Sequence, residues 1–224
     1  MKLINALSSP YGRKVAIALR EKGIPHEVEY DVPWGDNTCT PLYSPLEQLP
    51  ILILDNGDVV YDSNYILDWL ELSYPAPPLM PADREAIIAT KLLKMLGERV
   101  MEFVHAITFE LQRPQPSSPW VDRQSRKVSR GLAEIDRLIG ERRPADAHPI
   151  TLGDITVGAT VLLFEFIVAH RFVPDLDVLK WRGRYPNLTA FVELLDQRPS
   201  FRETRPALMD VDLAAVMSTS KNSG

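Results

Sequence analysis

The stretch SSPYGRKVAIALREKG, Ser8 to Gly23, carries both ends of a helix in its own residues. Serine is a favoured N-cap and proline a favoured first helical residue, so Ser9-Pro10 opens the helix. The expected span is Tyr11–Lys22; Gly23 stops it and Pro25 lies just beyond. Ahead of it, Lys2–Ala6 reads as a short apolar strand, and His26–Val32 alternates in the manner of a second. Strand, helix, strand is a βαβ unit.

Outward from that unit, Ile51–Leu54 and Asp58–Tyr61 flank Asn56-Gly57, a strong hairpin signal. Ser63 is the expected cap of an amphipathic helix through Leu72, with Ile66, Leu67 and Leu70 on one face. The first 75 residues therefore read βαβ followed by ββα, one small mixed sheet with helices packed on it. Pro75, Pro77, Pro78 and Pro81 end this unit. Proline fixes φ and removes a backbone donor, so the cluster excludes regular structure and marks 76–82 as a linker.

From 83 to 206 the pattern is all helical. Ala82–Leu111 is one long periodic stretch, followed by a loop with Pro114, Pro116 and Pro119, a helix over Val121–Glu141, and a loop with Pro144 and Pro149. Thr151 and Asp154 then form a capping box, with Ile150 and Ile155 at the hydrophobic-staple positions. Leu188–Leu195 is one more helix, and 207–224, ending STSKNSG, is expected to be a disordered tail.

Composition narrows the function. The chain has 224 residues, 45% hydrophobic and 25% charged, as globular proteins do. Net charge is −5, and residues 1–75 alone carry −6, which argues against a nucleic-acid partner. A single cysteine, Cys39, forms no internal disulfide and no Cys-rich metal site, and fits a reducing compartment, so a cytoplasmic location is expected. The start MKLINALSSPYGRK is too short in its apolar run for a signal peptide. The most apolar window, Ile155–Ala169, falls short of the roughly 18–20 residues of a membrane span and carries Glu165; it reads as a buried helix. His26, His105, His148 and His170 are scattered, so no metal site is expected. G-x-G-x-x-G, Walker A, H-E-x-x-H and G-x-S-x-G motifs do not occur.

What remains is a set of strand–helix junctions. Ser9 and Ser63 stand at helix starts, and between them Gln48-Leu49-Pro50-Ile51 brings a proline directly into a strand, a setting for a cis peptide bond. Helix N-termini offer unpaired N–H groups and a positive dipole end, which suits an anion. Each feature has a plainer reading. Ser9 and Ser63 serve as caps in any helix, Pro50 fits an edge strand, Cys39 is an incidental thiol in a polar loop, and His105 with Met101 and Phe109 suits a core face.

Their order is more specific. SSPYGRKVAIALREKG, then EQLPILILDNGDVVYDSNYILDWLE, then ITLGDITVGATVLL resembles the cytosolic glutathione S-transferases over the chain up to about Pro206. It is most similar to the small bacterial members whose first helix opens with a Ser-Pro-aromatic-x-Arg-Lys pattern. The resemblance implies a thioredoxin-like N-terminal domain followed by a helical domain, a homodimer, and glutathione as co-substrate with no permanently bound cofactor. It implies detoxifying attack of the glutathione thiolate on a small hydrophobic electrophile. A peroxidase, a lyase or isomerase, and a non-catalytic scaffold are the alternatives on the same fold.

Carried over residue by residue, the resemblance makes Ser9 the hydroxyl donor to the glutathione sulfur, with Tyr11 a competing donor. Leu49, before a cis Pro50, pairs its backbone with the cysteinyl unit. Ser63 takes the γ-glutamyl carboxylate and Asp62 lies nearer the ammonium. Relatives often have a basic residue where this chain has Gln48, and Trp34 is the candidate to compensate at the glycyl end. Tyr11, Met101, His105 and Phe109 are the expected electrophile pocket, and Thr151 and Asp154 match a folding motif without a catalytic role.

Overall fold

Strand β1 (Lys2–Asn5) sits second in a sheet of order β2-β1-β3-β4, parallel to β2 (Glu27–Tyr30) and antiparallel to β3 (Ile51–Ile53), which pairs with β4 (Val59–Val60). Leu3 lies opposite Val28 on one side and Leu52 on the other, and Leu3 and Leu52 are fully buried. The computed structural model describes residues 1–142 and 149–218. The βαβ-ββα order read from the sequence is the order observed.

Helix α1 (Pro10–Glu21) crosses between β1 and β2. Ser9 caps it, its Oγ accepting from the Gly12 N–H at 3.2 Å, and Gly23 ends it at φ 65°, in the left-handed region open to glycine. Gly12 is fixed by a close approach: a Cβ there would overlap the Asn5 side-chain amide, whose oxygen accepts the Ala6 N–H at 2.8 Å. A short helix α2 (Thr40–Tyr43) interrupts the connection to β3.

The start of α3 (Ser63–Ser73) differs from expectation by one residue. Asp62, not Ser63, is the cap, its Oδ1 accepting from the Asn64 N–H at 2.7 Å. An aspartate accepts through either oxygen and outcompetes the adjacent hydroxyl, which leaves Ser63 as the first helical residue with its side chain uncommitted.

The proline-rich segment after α3 is gripped by charge. Lys22 Nζ donates to the Tyr74 and Pro77 carbonyls at 2.7 and 3.0 Å and pairs with Glu71 at 2.6 Å. The Glu71 carboxylate in turn accepts from the Leu79 and Met80 N–H groups. Backbone that cannot form its own ladder is thereby held against α1.

The helical part comprises α4 (Arg84–Leu111), α5 (Ser118–Gly140), α6 (Leu152–Ala169), α7 (Pro186–Asp196), α8 (Pro199–Arg202) and α9 (Leu213–Ser218). Pro119 lies in the first turn of α5 rather than in the preceding loop, since proline is tolerated there. Pro144 and His148 fall outside the described residues. Helix α6 is long and apolar enough to cross a membrane by length and composition, and 83% of it is buried. It packs between α4 and α1, opened by the expected capping box: Thr151 N–H to Asp154 Oδ2 at 2.9 Å and Asp154 N–H to Thr151 Oγ1 at 3.3 Å. Arg142 adds an ion pair to Asp154 at 2.8 Å.

After Pro206 the sequence predicts disorder, and the described part departs from it. The Ala207 N–H donates to the Leu7 carbonyl at 3.1 Å, which ties the tail to the loop ahead of Ser9, and Leu213–Ser218 is helical. Residues 219–224 lie outside the described ones.

Candidate active site

A cleft of about 550 Å³ opens where the C-terminal end of β1, the entry to β3 and the start of α3 face one flank of α4. Ser9, Tyr11, Trp34, Gln48, Leu49, Pro50, Asp62, Ser63, His105 and Phe109 all line it. Met101 does not. Its side chain is fully buried, and its place on the wall is taken by Glu102. A helical stripe through His105 and Phe109 runs back to either residue 101 or residue 102. The structure turns the four-residue neighbour into the core and the three-residue neighbour to the cleft.

Three backbone features converge from the sheet side. At α1, the Ser9 cap bond uses one lone pair of the hydroxyl and leaves its O–H free to donate; Pro10 has no N–H, and the Tyr11 N–H has no intrahelical partner. At the entry to β3, the Leu49–Pro50 peptide is cis, as expected, and the Leu49 N–H and C=O have no hydrogen bond among the described residues. Glu47, at φ 51°, ends the turn held by Ser44 and swings this segment into the cleft. At α3, Ser63 is 3% exposed, yet its hydroxyl has no partner among the described residues, and its N–H is one of the unpaired donors of a helix N-terminus.

The opposite wall is aromatic. Trp34 and Phe109 meet edge-on with centroids 5.7 Å apart, and Tyr11 lies 5.2 Å from the His105 ring. Burial, with the nearby Glu102, Glu98 and Asp62 charges, holds the Tyr11 phenol well above its ordinary value, so it stays a protonated donor. Burial also lowers His105, which keeps the imidazole neutral. Its Nδ1–H donates to the Met101 carbonyl at 2.9 Å, and Nε2 keeps its lone pair. Cys39 is no rival nucleophile: burial and a bond from Sγ to Asp31 Oδ2 at 3.2 Å push its thiol up to about 11.

Sequence reasoning missed Ser8, Ser44, Glu47, Tyr61, Glu102 and Met209 among the lining residues. Glu102 was accessible, since it stands three residues before His105 on one helical face. Met209 was not, because no strand or helix signal near it says that the segment after Pro206 folds back.

Comparison with known proteins identifies the family and the fold. The family model for the glutathione S-transferase N-terminal domain matches residues 3–78, and the C-terminal-domain model matches 118–194. The GST-like protein YibF of Escherichia coli K12 is 29% identical over 208 residues, covering 92% of this chain and 98% of that one. The maleylacetoacetate isomerase of Pseudomonas aeruginosa PAO1 is 27% identical over 220 residues, with 92% and 96% covered. Among solved structures, a glutathione S-transferase of Methylobacterium radiotolerans in complex with glutathione sulfonate superposes with a TM-score of 0.83 at 42% identity, over 94% of this chain and 97% of that one. With both domains matched and the whole fold shared, this chain belongs to the glutathione S-transferase superfamily, in its bacterial branch.

Proposed function

We propose that the protein is a glutathione S-transferase that ionises the glutathione thiol at Ser9 and delivers the thiolate to a hydrophobic electrophile. One observation carries the reading: two serine hydroxyls with uncommitted protons, at two helix N-termini, flank the unpaired Leu49 backbone in a single cleft. Glutathione lies across these groups as an extra strand. Its cysteinyl unit pairs with the Leu49 N–H and C=O, as peptides add to a free backbone edge. Its γ-glutamyl carboxylate meets the Ser63 hydroxyl and N–H, with Asp62 toward the ammonium. Gln48 holds the glycyl end, and Trp34, edge-on to Phe109, joins that end to the electrophile wall. The glutathione sulfonate in the Methylobacterium relative supports the same class of ligand here.

The mechanism then needs no general base. A thiol with pKa about 8.5 is only a few per cent thiolate at neutral pH. Lowering that value by two units takes about 2.7 kcal/mol of preferential anion stabilisation. A hydrogen bond from a hydroxyl to a charged sulfur is worth about 1.5–3 kcal/mol, and the α1 N-terminus adds about 0.3–1. Both groups are fixed before glutathione arrives, so little reorganisation opposes them. The electrophile stands against Tyr11, Trp34, His105 and Phe109.

The test is an ultraviolet difference titration with glutathione near neutral pH. A saturable thiolate band supports the reading; binding without the band refutes ionisation at Ser9, and absence of binding favours a scaffold. The Pseudomonas isomerase relative supports a second reading, in which glutathione adds and leaves again. That reading predicts turnover without net glutathione consumption. We also infer a cytoplasmic homodimer: the lone thiol fits a reducing compartment, and Ile88, Leu92 and Met95 expose an apolar stripe along α4. Light scattering checks the dimer.

A further inference from the structure

The wall that faces the electrophile is an aromatic box with a carboxylate and no cation. Tyr11, Trp34 and Phe109 line the cleft, and the face of an aromatic ring attracts positive charge through its negative quadrupole. His105 presents a lone pair at Nε2 rather than a proton. Glu102, one turn before His105 on α4, puts a carboxylate at the same rim, and no lysine or arginine lines the cleft among the described residues.

The nearest cations do not reverse this balance. Lys14 Nζ lies 5.9 Å from the Tyr11 ring centre, but its side chain is fully buried and neutralised by Glu98 at 2.8 Å. Arg99 pairs with Glu102 at 2.6 Å, with both side chains open to solvent. Exposed pairs of this kind hold weakly and exchange readily for another cation.

We propose that this half of the site selects aromatic electrophiles bearing a positive charge, a protonated or quaternary amine, over those bearing a carboxylate, with Glu102 as the determinant. The inference rests on the glutathione-transfer reading. An exposed charge contact changes affinity by about 1.4- to 5-fold. Exchanging a cation for an anion counts that contact twice, as attraction and as repulsion, and the rings add to it; about tenfold is expected overall.

The experiment uses three synthetic conjugates, S-benzylglutathione and its para-trimethylammonium and para-carboxylate forms, titrated calorimetrically into the full chain. The ammonium form is expected to bind about tenfold tighter than the carboxylate. In Glu102→Gln the ratio falls to about threefold or less; in Arg99→Gln, which frees Glu102, it rises. Equal affinity, tighter binding of the carboxylate, or an unchanged ratio in Glu102→Gln overturns the inference alone. Failure of S-benzylglutathione itself to bind is a different result: it refutes the glutathione reading and removes the inference with it.

Discussion

Replacing Ser9 with alanine removes two interactions that other substitutions can separate. The hydroxyl oxygen caps α1 through Gly12, and the hydroxyl proton is assigned to the thiolate. Loss of a cap costs about 1 kcal/mol, which in a chain of this length lowers the melting temperature by about 2–4 °C. Loss of a bond to a charged group worth about 1.5–3 kcal/mol raises the pKa of bound glutathione by about one to two units. Turnover at pH 6.5, where about half of the bound thiol is ionised in the parent, then falls roughly five- to fiftyfold. The deficit shrinks as pH rises past about 8.5, because the thiol then ionises unaided. Ser9→Asn keeps the cap acceptor and supplies an N–H donor, whereas Ser9→Asp keeps the acceptor but brings a negative charge to the sulfur. Stability is therefore expected to be lowest for the alanine variant, and turnover at pH 6.5 lowest for the aspartate variant. Spectrophotometric titration of the bound thiol and thermal melts give the two orders independently. A bound-thiol pKa unchanged in Ser9→Ala would refute the reasoning and move the role to the Tyr11 hydroxyl and backbone amides.

Ser63→Ala is expected to raise KM for glutathione by about tenfold or more with kcat little changed, since the lost bond is made equally in ground and transition states; steady-state kinetics that show kcat alone falling count against the assignment. Gly12→Ala, which gains helix propensity on paper, is expected to lower stability by about 1–3 kcal/mol because its Cβ meets the Asn5 amide; denaturant melts decide. Glu21→Gln tests the clamp between α1 and α8, where Arg198 donates to both carboxylate oxygens at 2.8 and 2.7 Å. Burial opposes ionisation of Glu21, yet the bonds from Arg198 and Ser200 outweigh it and hold the carboxyl below its ordinary value. A depressed folded-state pKa contributes stability above the unfolded value, about 4.3, and loses it as pH falls through the folded one. The variant is thus less stable than the parent by about 1–2 kcal/mol at pH 7, and melts at acid pH should show the difference closing.

The side of the cleft proposed to hold glutathione was legible because it is made of backbone chemistry. A cap, a proline at a strand entry and a helix start each leave a local signature, the family resemblance joins those signatures into one site, and Ser9, Leu49-Pro50 and Ser63 all line the cleft. The one slip there, Ser63 for Asp62 as cap, came from two adjacent good caps competing for the same amide. The electrophile wall was legible only by halves. It is assembled from side chains of α1, α4, the Trp34 loop and the returning tail, and the rotation of α4 decides which residues face inward. A difference of one position, Met101 for Glu102, turns a thioether into a carboxylate and changes the chemistry of the wall.

Lys14 shows how that rotation is set. A lysine in a helix is ordinarily solvated, but in the fold the Lys14 side chain is fully buried. Its ammonium donates to Asn64 Oδ1 at 2.9 Å and to Glu98 Oε1 at 2.8 Å, so one group bridges the start of α3 and the flank of α4. Asn64 is also the residue whose N–H completes the Asp62 cap, and Glu98 stands one turn before Glu102. Burial lowers the Lys14 pKa while Glu98 opposes that shift, and the paired charges cancel within the interface. A buried pair of this kind adds little net stability over an apolar contact, but it is directional, and its loss leaves Glu98 with only the longer pair to Lys94 at 3.7 Å. The amine therefore contributes position rather than attraction for an anionic peptide. That division fits a cleft with no lining cation among the described residues: in the proposed reading the glutathione charges are met by N–H groups and hydroxyls at two helix starts, which act at contact distance, while the acidic background of the domain acts through screened solvent.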